Sequence, residues 1–395
     1  MTTELLAPVL DEVREIEGEM VALRHRIHAH PELGFEEHVT SALVAERLEA
    51  WGYRVERGIG GTGVVGSLTV GSGRQRLGLR ADLDALPITE ATGLPYASRN
   101  PGRMHACGHD GHTATLLAAA RVLAHTRGFS GTLNLIFQPA EEGLGGARRM
   151  IEDGLFERFP CDRLFAFHNA PGMPAGVMGF RPGVLFSSSD TAIITVHGQG
   201  GHGALPHKAV DPIVVGAHIV LALQTLVNRE IDPNELSIVT VGAFLAGEAP
   251  NVIPATAELR VTIRARSPAV RAQLRDRITA VAMTQAAVHG ARAEVDYRWR
   301  YPPVINDAEA TAFARQAALD FAGERWVLPE LPPSYASDDF ALMLEQVPGS
   351  YFVVGNGEGS QGGCMVHNAG YDFNDRILPG VASFWVHLVR RYLSD

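Results

Sequence analysis

The densest chemistry in the chain lies between Met104 and His112. There Met104-His105-Ala106-Cys107-Gly108-His109-Asp110-Gly111-His112 brings three histidines, a cysteine and an aspartate into one turn. A thiolate at Cys107 and a neutral imidazole at His109 are donors for a transition ion such as Zn2+ or Mn2+, and Gly108 and Gly111 let the backbone bend around it. The same residues also suit a glycine-bearing turn into a helix, with histidines that only cap and solvate. A second group, Gln138-Pro139-Ala140-Glu141-Glu142-Gly143, follows directly on the apolar run 133–137. Strand C-termini are where α/β sheets place ligands, and neighbouring residues there point in different directions. One glutamate can therefore hold an ion while the other faces a substrate as general base. His168 follows the apolar run 164–167 in the same way, and His367 lies in Gly363-Cys364-Met365-Val366-His367-Asn368. Singly, each of these histidines reads first as a satisfied polar group. Together Cys107, His109, Glu142, His168 and His367 offer five donors from separate strand ends and loops, enough for two ions sharing a ligand, which points to a dinuclear hydrolase. Asp82 and Asp84, in Arg80-Ala81-Asp82-Leu83-Asp84-Ala85-Leu86-Pro87, end a further strand. They suit either hydrogen bonding to a ligating imidazole or a plain strand cap ahead of Pro87.

Such groups need a sheet to position them. Apolar runs at 64–70, 77–79, 133–137 and 164–167 alternate with helical patterns at 112–125 and 145–153, after two amphipathic helices at 5–28 and 36–51. That rhythm predicts an α/β fold with a mixed, largely parallel sheet. From 186 the order changes to strand 190–197, helix 212–227, strands 237–244 and 257–264, helix 269–288 and strand 293–299, a β-α-β-β-α-β ferredoxin-like unit. Three segments follow: the first part of a catalytic metal-binding domain over 1–185, an inserted α+β domain over 186–301, and the second part of the catalytic domain over 302–395. The last holds helices at 308–321, 339–344 and 381–392 around a strand at 350–354. A length of 395 residues agrees with two domains, since single cores stop growing at about 250–300 residues.

Lys and Arg number 34 against 44 Asp and Glu, a net charge of −10 that disfavours nucleic acid or a membrane surface as partner. The richest apolar stretch, 213–227, is interrupted by His218 and Gln224, and the acidic N-terminus lacks the basic flank and apolar run of an export signal. The expectation is a cytoplasmic protein. Its three cysteines, Cys107, Cys161 and Cys364, are too widely spaced to suggest a disulfide framework.

Further stretches complete a set of motifs: His30-Pro31-Glu32-Leu33-Gly34-Phe35-Glu36-Glu37, Gly200-Gly201-His202-Gly203-Ala204-Leu205-Pro206-His207, Asn251-Val252-Ile253-Pro254 and Tyr371-Asp372-Phe373-Asn374-Asp375. In type and order the whole set resembles the aminoacylase and hippurate hydrolase branch of the dinuclear metallopeptidases, which also contains carboxypeptidase G2 and succinyl-diaminopimelate desuccinylase. The resemblance runs nearly end to end. It implies that Cys107, His109, Glu142, His168 and His367 hold two divalent ions per chain, Zn2+ or Mn2+, with Ni2+ or Co2+ also suited. It further implies that Glu141 is the general base and acid, supported by Asp82, Asp84 and Asp110 around the ligands. The inserted domain would be a dimerising lid, its His202 stabilising an oxyanion in the neighbouring subunit of a homodimer or higher homo-oligomer, and Asn251 and Arg264 would grip the substrate carboxylate. Without the resemblance, His202 is a turn residue and Arg264 an ordinary strand-end arginine. The sulfur at Cys107 marks the hippurate hydrolase branch, related branches placing a carboxylate there. Gly203 stands where alanine is commoner, which would loosen the loop around His202. Asp338-Asp339-Phe340 stands where Glu-Asp-Phe is common, and both aspartates also suit a helix cap.

The expected function is metal-dependent hydrolysis of the amide in N-acyl or N-aroyl amino acids of the hippurate kind, giving a carboxylic acid and a free amino acid. The alternatives are deacetylation or desuccinylation of N-acyl-diaminopimelate or a related intermediate, a cysteine hydrolase using Cys107 with His109 or His105, and a non-catalytic metal-binding protein of the same fold. Leu144, Met173 and Phe186 are the apolar residues near the motifs from which an acyl pocket would be built.

Overall fold

The apolar runs pair as strands in the computed structural model, which describes residues 8–360 and 362–394. Seven strands lie in the spatial order Arg54–Ile59, Gly63–Val70, Gly131–Gln138, Arg76–Asp82, Arg163–Pro171, Gly349–Gly357, Met178–Gly179. The four from Gly131–Gln138 to Gly349–Gly357 run parallel, and the flanking pairs are antiparallel. Central parallel strands are covered on both faces, which is why they read as apolar runs such as Leu164, Phe165, Ala166 and Phe167, all buried. The outer strand Arg54–Ile59 carries arginines and a glutamate on a largely exposed edge and has no such signature. Parallel register brings Asp82 opposite Gln138, and His168 opposite Val353, so the residues that follow these positions emerge at one end of the sheet.

The helix His109–Thr126 is buried along most of its length between the sheet and the helices Glu17–His28 and Leu378–Tyr392. The N-terminal helical pattern resolves into Asp11–Arg14 and Glu17–His28, and its expected start at 5–7 lies outside the described residues. This unit comprises the chain up to Leu185, Ile305–Pro333 and the segment from Asp338 on.

The second unit, Phe186–Val304 with Ser334–Ser337, has its own core. Its four antiparallel strands are ordered Ser237–Leu245, Thr256–Ala265, Ser189–His197, Arg292–Tyr301, with helices Pro212–Glu230 and Pro268–Val288 completing the β-α-β-β-α-β order. Both helices start with a capping side chain before proline, Asp211 accepting from the Ile213 N–H and Ser267 from the Val270 N–H. Pro212–Glu230 is long and apolar enough to cross a membrane, but it buries Val215, Ile219, Leu223 and Leu226 in this core. The return of Ser334–Ser337 to the second unit leaves no trace in the sequence pattern.

Candidate metal centre

Gly108 caps the helix His109–Thr126 with φ +96°, and a side chain there would strike Asn169 Oδ1 at 2.3 Å and Tyr371 Oη at 2.5 Å. The turn therefore closes only with glycine, and it places Cys107 and His109 side by side at the end of the sheet. Donor atoms of Cys107, His109 and His168 lie within 4.8 Å of one another, as do those of Cys107, Glu142 and His367, and those of His109, Glu141 and Glu142. All five sequence-predicted ligands thus fall in two three-donor sets that share the Cys107 sulfur, and Glu141 joins one member of each, His109 and Glu142, in the third. Within them Cys107 Sγ is 3.3 Å from His168 Nε2, and His367 Nε2 is 3.1 Å from Glu142 Oε1.

The ring orientations fit a metal. His109 Nδ1 lies 2.8 Å from the Asp84 carbonyl oxygen and His168 Nδ1 2.7 Å from that of Asn169. A carbonyl can only accept, so each Nδ1 carries a proton, which leaves Nε2 as the atom of each ring that faces the cluster and can ligate once it is deprotonated. His109 Nε2 is buried without a hydrogen-bond partner, the position an ion would fill. His168 is held neutral, burial and then His112 pushing it down to about 3. Burial opposes a charge on His109, but Asp82, Asp84 and Glu142 outweigh it and bring the ring up to about 10. Burial, then Glu142, Glu141 and Asp82, push the Cys107 thiol well above its usual range. A cluster so rich in carboxylates, buried at Cys107 and His109 and open at His367, favours cations.

Asp84 touches two of the expected ligands. Besides its carbonyl contact, its Oδ1 is 3.3 Å from His109 Nδ1, and its Oδ2 accepts the Glu142 N–H at 2.9 Å, so it fixes both the His109 ring and the Glu142 backbone. Asp82 instead receives Arg80 at 2.6 Å and His112 Nδ1 at 2.7 Å; its Oδ2 is 3.7 Å from His109 Nε2. Asp82, His109 and His112 also form a donor trio, but His112 is engaged at both nitrogens, by Asp82 and by Asn169 Oδ1 at 2.7 Å. Asp110 pairs with His28 at 2.8 Å and Arg24 at 3.4 Å, fastening the helix start to Glu17–His28 instead of contacting a ligand ring.

Glu141 is buried at the junction between the donor cluster and a second trio with Asp338 and Asp339. Burial, Asp338, Glu142 and Asp339 in that order push its carboxyl well above the ordinary range. The two aspartates are more than caps. Asp338 accepts the Phe340 N–H at 2.8 Å but also the Tyr351 hydroxyl at 2.7 Å, while Asp339 takes the Ala147 N–H at 2.9 Å and Gln138 Nε2 at 2.6 Å. Both face Arg80, whose fork also holds Gln138 Oε1 at 2.8 Å. Arg80, Gln138, His112 and Tyr371 stand in the quoted motifs but had no role assigned from the sequence, and Asn169 lay outside those motifs. The one available signal was an arginine inside the apolar stretch Leu77-Gly78-Leu79-Arg80-Ala81, two residues before Asp82 on the same face.

The remaining sequence candidates lie in the second unit. His202 pairs with Val252 in a two-residue ladder, its ring nitrogen accepting the Ala204 N–H at 3.0 Å. Gly203 donates to the Asn251 carbonyl at 2.8 Å, and a side chain on it would lie 3.0 Å from the Asn251 backbone; glycine here tightens the loop instead of loosening it. Arg264 donates to Ser189 Oγ at 2.8 Å and Thr262 Oγ1 at 3.2 Å, and burial lowers its pKa. Among the expected apolar lining residues, Leu144 is exposed, Met173 half-buried, and Phe186 packed inside the second unit.

Comparison with known proteins agrees with this geometry. The family model described as peptidase family M20/M25/M40 matches residues 78–391. The chain is 42% identical over 386 residues to a hippurate hydrolase from Campylobacter jejuni, covering 98% of this chain and 100% of that protein. It is 39% identical over 384 residues to an IAA-amino acid hydrolase from Arabidopsis thaliana, covering 95% and 87%. A solved Bacillus subtilis structure, described as a dinuclear metal binding peptidase from the M20 family, superposes with a TM-score of 0.82 at 30% identity over 96% of this chain and 99% of that one.

Proposed function

Because the chain belongs to peptidase family M20/M25/M40 and is a metal-dependent amidohydrolase of N-acyl amino acids, we propose that it cleaves hippurate-like N-acyl and N-aroyl amino acids, with Glu141 as the proton carrier. The observation that carries this reading is the convergence of Glu141 on two donor sets that share Cys107. Cys107, His109, Glu142, His168 and His367 would hold two divalent ions, which supply Lewis-acid polarisation of an amide carbonyl and make water more acidic. Glu141 sits beside those donors in a field of carboxylates that strengthens its hold on a proton. It takes a proton from the attacking water and hands it to the amide nitrogen as the C–N bond breaks, releasing the amine. Asp84 keeps the His109 ring and the Glu142 backbone in place throughout. Asn251 and Arg264 are proposed to hold the substrate carboxylate and His202 to steady the oxyanion.

A thiol nucleophile at Cys107 has no support, since burial and neighbouring carboxylates favour the neutral thiol. A homodimer through the second unit is part of the proposal. The edge strand Ser237–Leu245 is uncharged and ends in exposed Phe244 and Leu245, a surface proteins ordinarily cover.

The deciding experiment compares wild type and Glu141→Ala for metal content and for turnover of hippurate, acyl aromatic amino acids and N-acetyl-diaminopimelate. The expected result is two metals per chain in both, hippurate-type turnover in the wild type, and a loss of about a thousandfold in kcat for the variant. Activity surviving in the variant would sink the role of Glu141, and preference for the diaminopimelate compound would sink the substrate class.

A further inference from the structure

Glu37 is fully buried, and its carboxylate ties together two segments that the mechanism above leaves unused. One oxygen accepts the Ala140 N–H at 2.8 Å and the other the Thr62 hydroxyl at 2.5 Å. Its inward direction has a local cause. Glu37 stands at the start of helix His38–Ala50, where a side chain ordinarily caps the first N–H groups, but Glu32 performs that task, accepting the Val39 and Thr40 N–H groups at 2.9 and 2.8 Å.

Ala140 has φ +52°, a left-handed conformation that side-chain-bearing residues avoid, and it immediately precedes Glu141. The turn around it is closed from other sides too. A side chain on Gly34 would lie 3.0 Å from Ala140 Cα and Cβ, and Gly146, whose N–H donates to the Ala140 carbonyl at 3.0 Å, would place a Cβ 1.6 Å from the Pro139 oxygen.

We propose that Glu37 is a positioning residue for Glu141: by gripping the Ala140 amide it keeps that residue left-handed, and the turn so held aims the Glu141 carboxylate at the donor cluster. Relaxation of Ala140 toward the common φ of about −60° swings the peptide that joins it to Glu141 and carries the carboxylate away. Glu142 is spared, because its own N–H is anchored to Asp84 Oδ2. Loss of Glu37 therefore separates proton transfer from metal binding. The inference rests on the reading of Glu141 as proton carrier.

The test measures kcat, KM, metal content and melting temperature for E37A, E37Q, T62V, A140G and the double variant E37A/A140G, with E141A alongside. E37A is expected to lower kcat about 10- to 100-fold with KM and metal content near wild type, the size of loss a misplacement of about 1 Å produces. E37Q keeps an acceptor for the Ala140 N–H and recovers most of that loss. In the A140G background the E37A loss shrinks, because glycine takes positive φ without being held. An E37A enzyme with wild-type kcat overturns the proposal, as does a loss that A140G leaves unchanged or that comes with lost metal. If E37A does not fold, T62V, which frees one carboxylate oxygen, carries the same expectation at about three- to tenfold, and wild-type kcat there overturns it. E141A separates the two readings. Its activity, if retained, removes the role of Glu141 itself, whereas an inactive E141A beside a fully active E37A removes only the positioning by Glu37.

Discussion

Replacing Arg80 by methionine should cost about 5 kcal/mol of stability in metal-free protein at pH 7. Arg80 is 1% exposed and donates to Gln138 Oε1 at 2.8 Å, Asp82 Oδ2 at 2.6 Å, Asp338 Oδ1 at 3.2 Å and Asp339 Oδ1 at 3.5 Å. Removing one partner of a buried ion pair costs about 3–5 kcal/mol, and the upper end applies because three carboxylates lose their cation together. Methionine keeps the packing against Phe340, over whose ring the guanidinium carbon lies at 5.6 Å, so the loss is electrostatic and not a cavity. Lysine keeps the charge but not the planar fork, and about half the loss is expected for Arg80→Lys. The pH dependence fixes the sign. Burial holds the Asp339 carboxyl well above its ordinary 3.8 even with Arg80 pulling it down, and loss of Arg80 raises it further. A carboxyl whose folded pKa exceeds its unfolded value favours the fold at low pH and disfavours it as pH rises, so the deficit is largest at pH 7 and shrinks toward pH 4. Urea unfolding of EDTA-treated wild type and variants at pH 5 and pH 7, followed by far-UV circular dichroism, measures it. A deficit below about 1 kcal/mol at pH 7, or one that grows on acidification, refutes the assignment of Arg80 as the cation of this cluster.

Metal uptake should release protons: Cys107 is a neutral thiol and His109 a cation near pH 7.5 without metal, and both must deprotonate to ligate, so calorimetry in buffers of different ionisation enthalpy should report about two protons per chain; none would contradict the ligand set. His28 is driven up to about 9, burial opposing but Asp110 prevailing, so its pairing with Asp110 stabilises fully below about pH 6.5 and is lost as pH rises through 9. Relative to His28→Asn, wild type should therefore lose on the order of 3 kcal/mol over that window in denaturant titrations, and a constant difference would exclude the pair as the cause. Gly108→Ala puts a methyl 2.3 Å from Asn169 Oδ1 at φ +96° and should lower stability by about 3 kcal/mol and empty the centre of metal, read by elemental analysis. Arg264→Ala should raise KM for hippurate at least tenfold with less effect on kcat if its guanidinium holds the substrate carboxylate.

What could be read from the sequence was local. Cys107 and His109 are two residues apart at the start of a helix, and Glu141 and Glu142 are adjacent and follow a buried strand whose apolar run announces them. His168 and His367 became persuasive only as members of a set. The groups that orient the centre were illegible for the opposite reason. Arg80 meets Asp338 258 positions later, and Asn169 meets Tyr371 202 positions later. No periodicity links such partners, because a buried polar contact is specified by the fold and not by spacing. Glu37 shows the same limit: its motif was noticed, but the tie to Ala140 exists only once Glu32 has taken over the helix cap. The strand Arg54–Ile59 escaped because an exposed, charged edge carries the composition of a loop.

The sulfur common to both donor sets is also a single point of failure. A thiophilic ion such as Hg2+ or Cd2+ captured by Cys107 would take a donor from both sets at once, and so would oxidation of that sulfur, so one event per chain would disable both donor sets. A site with a carboxylate in place of this thiol gives up the soft donor and with it the susceptibility. The other two cysteines lie outside these donor sets but are less buried than Cys107, so inhibition by a mercurial, protected by prior loading with Zn2+ or Mn2+, would report on Cys107 in a variant whose Cys161 and Cys364 are replaced by serine.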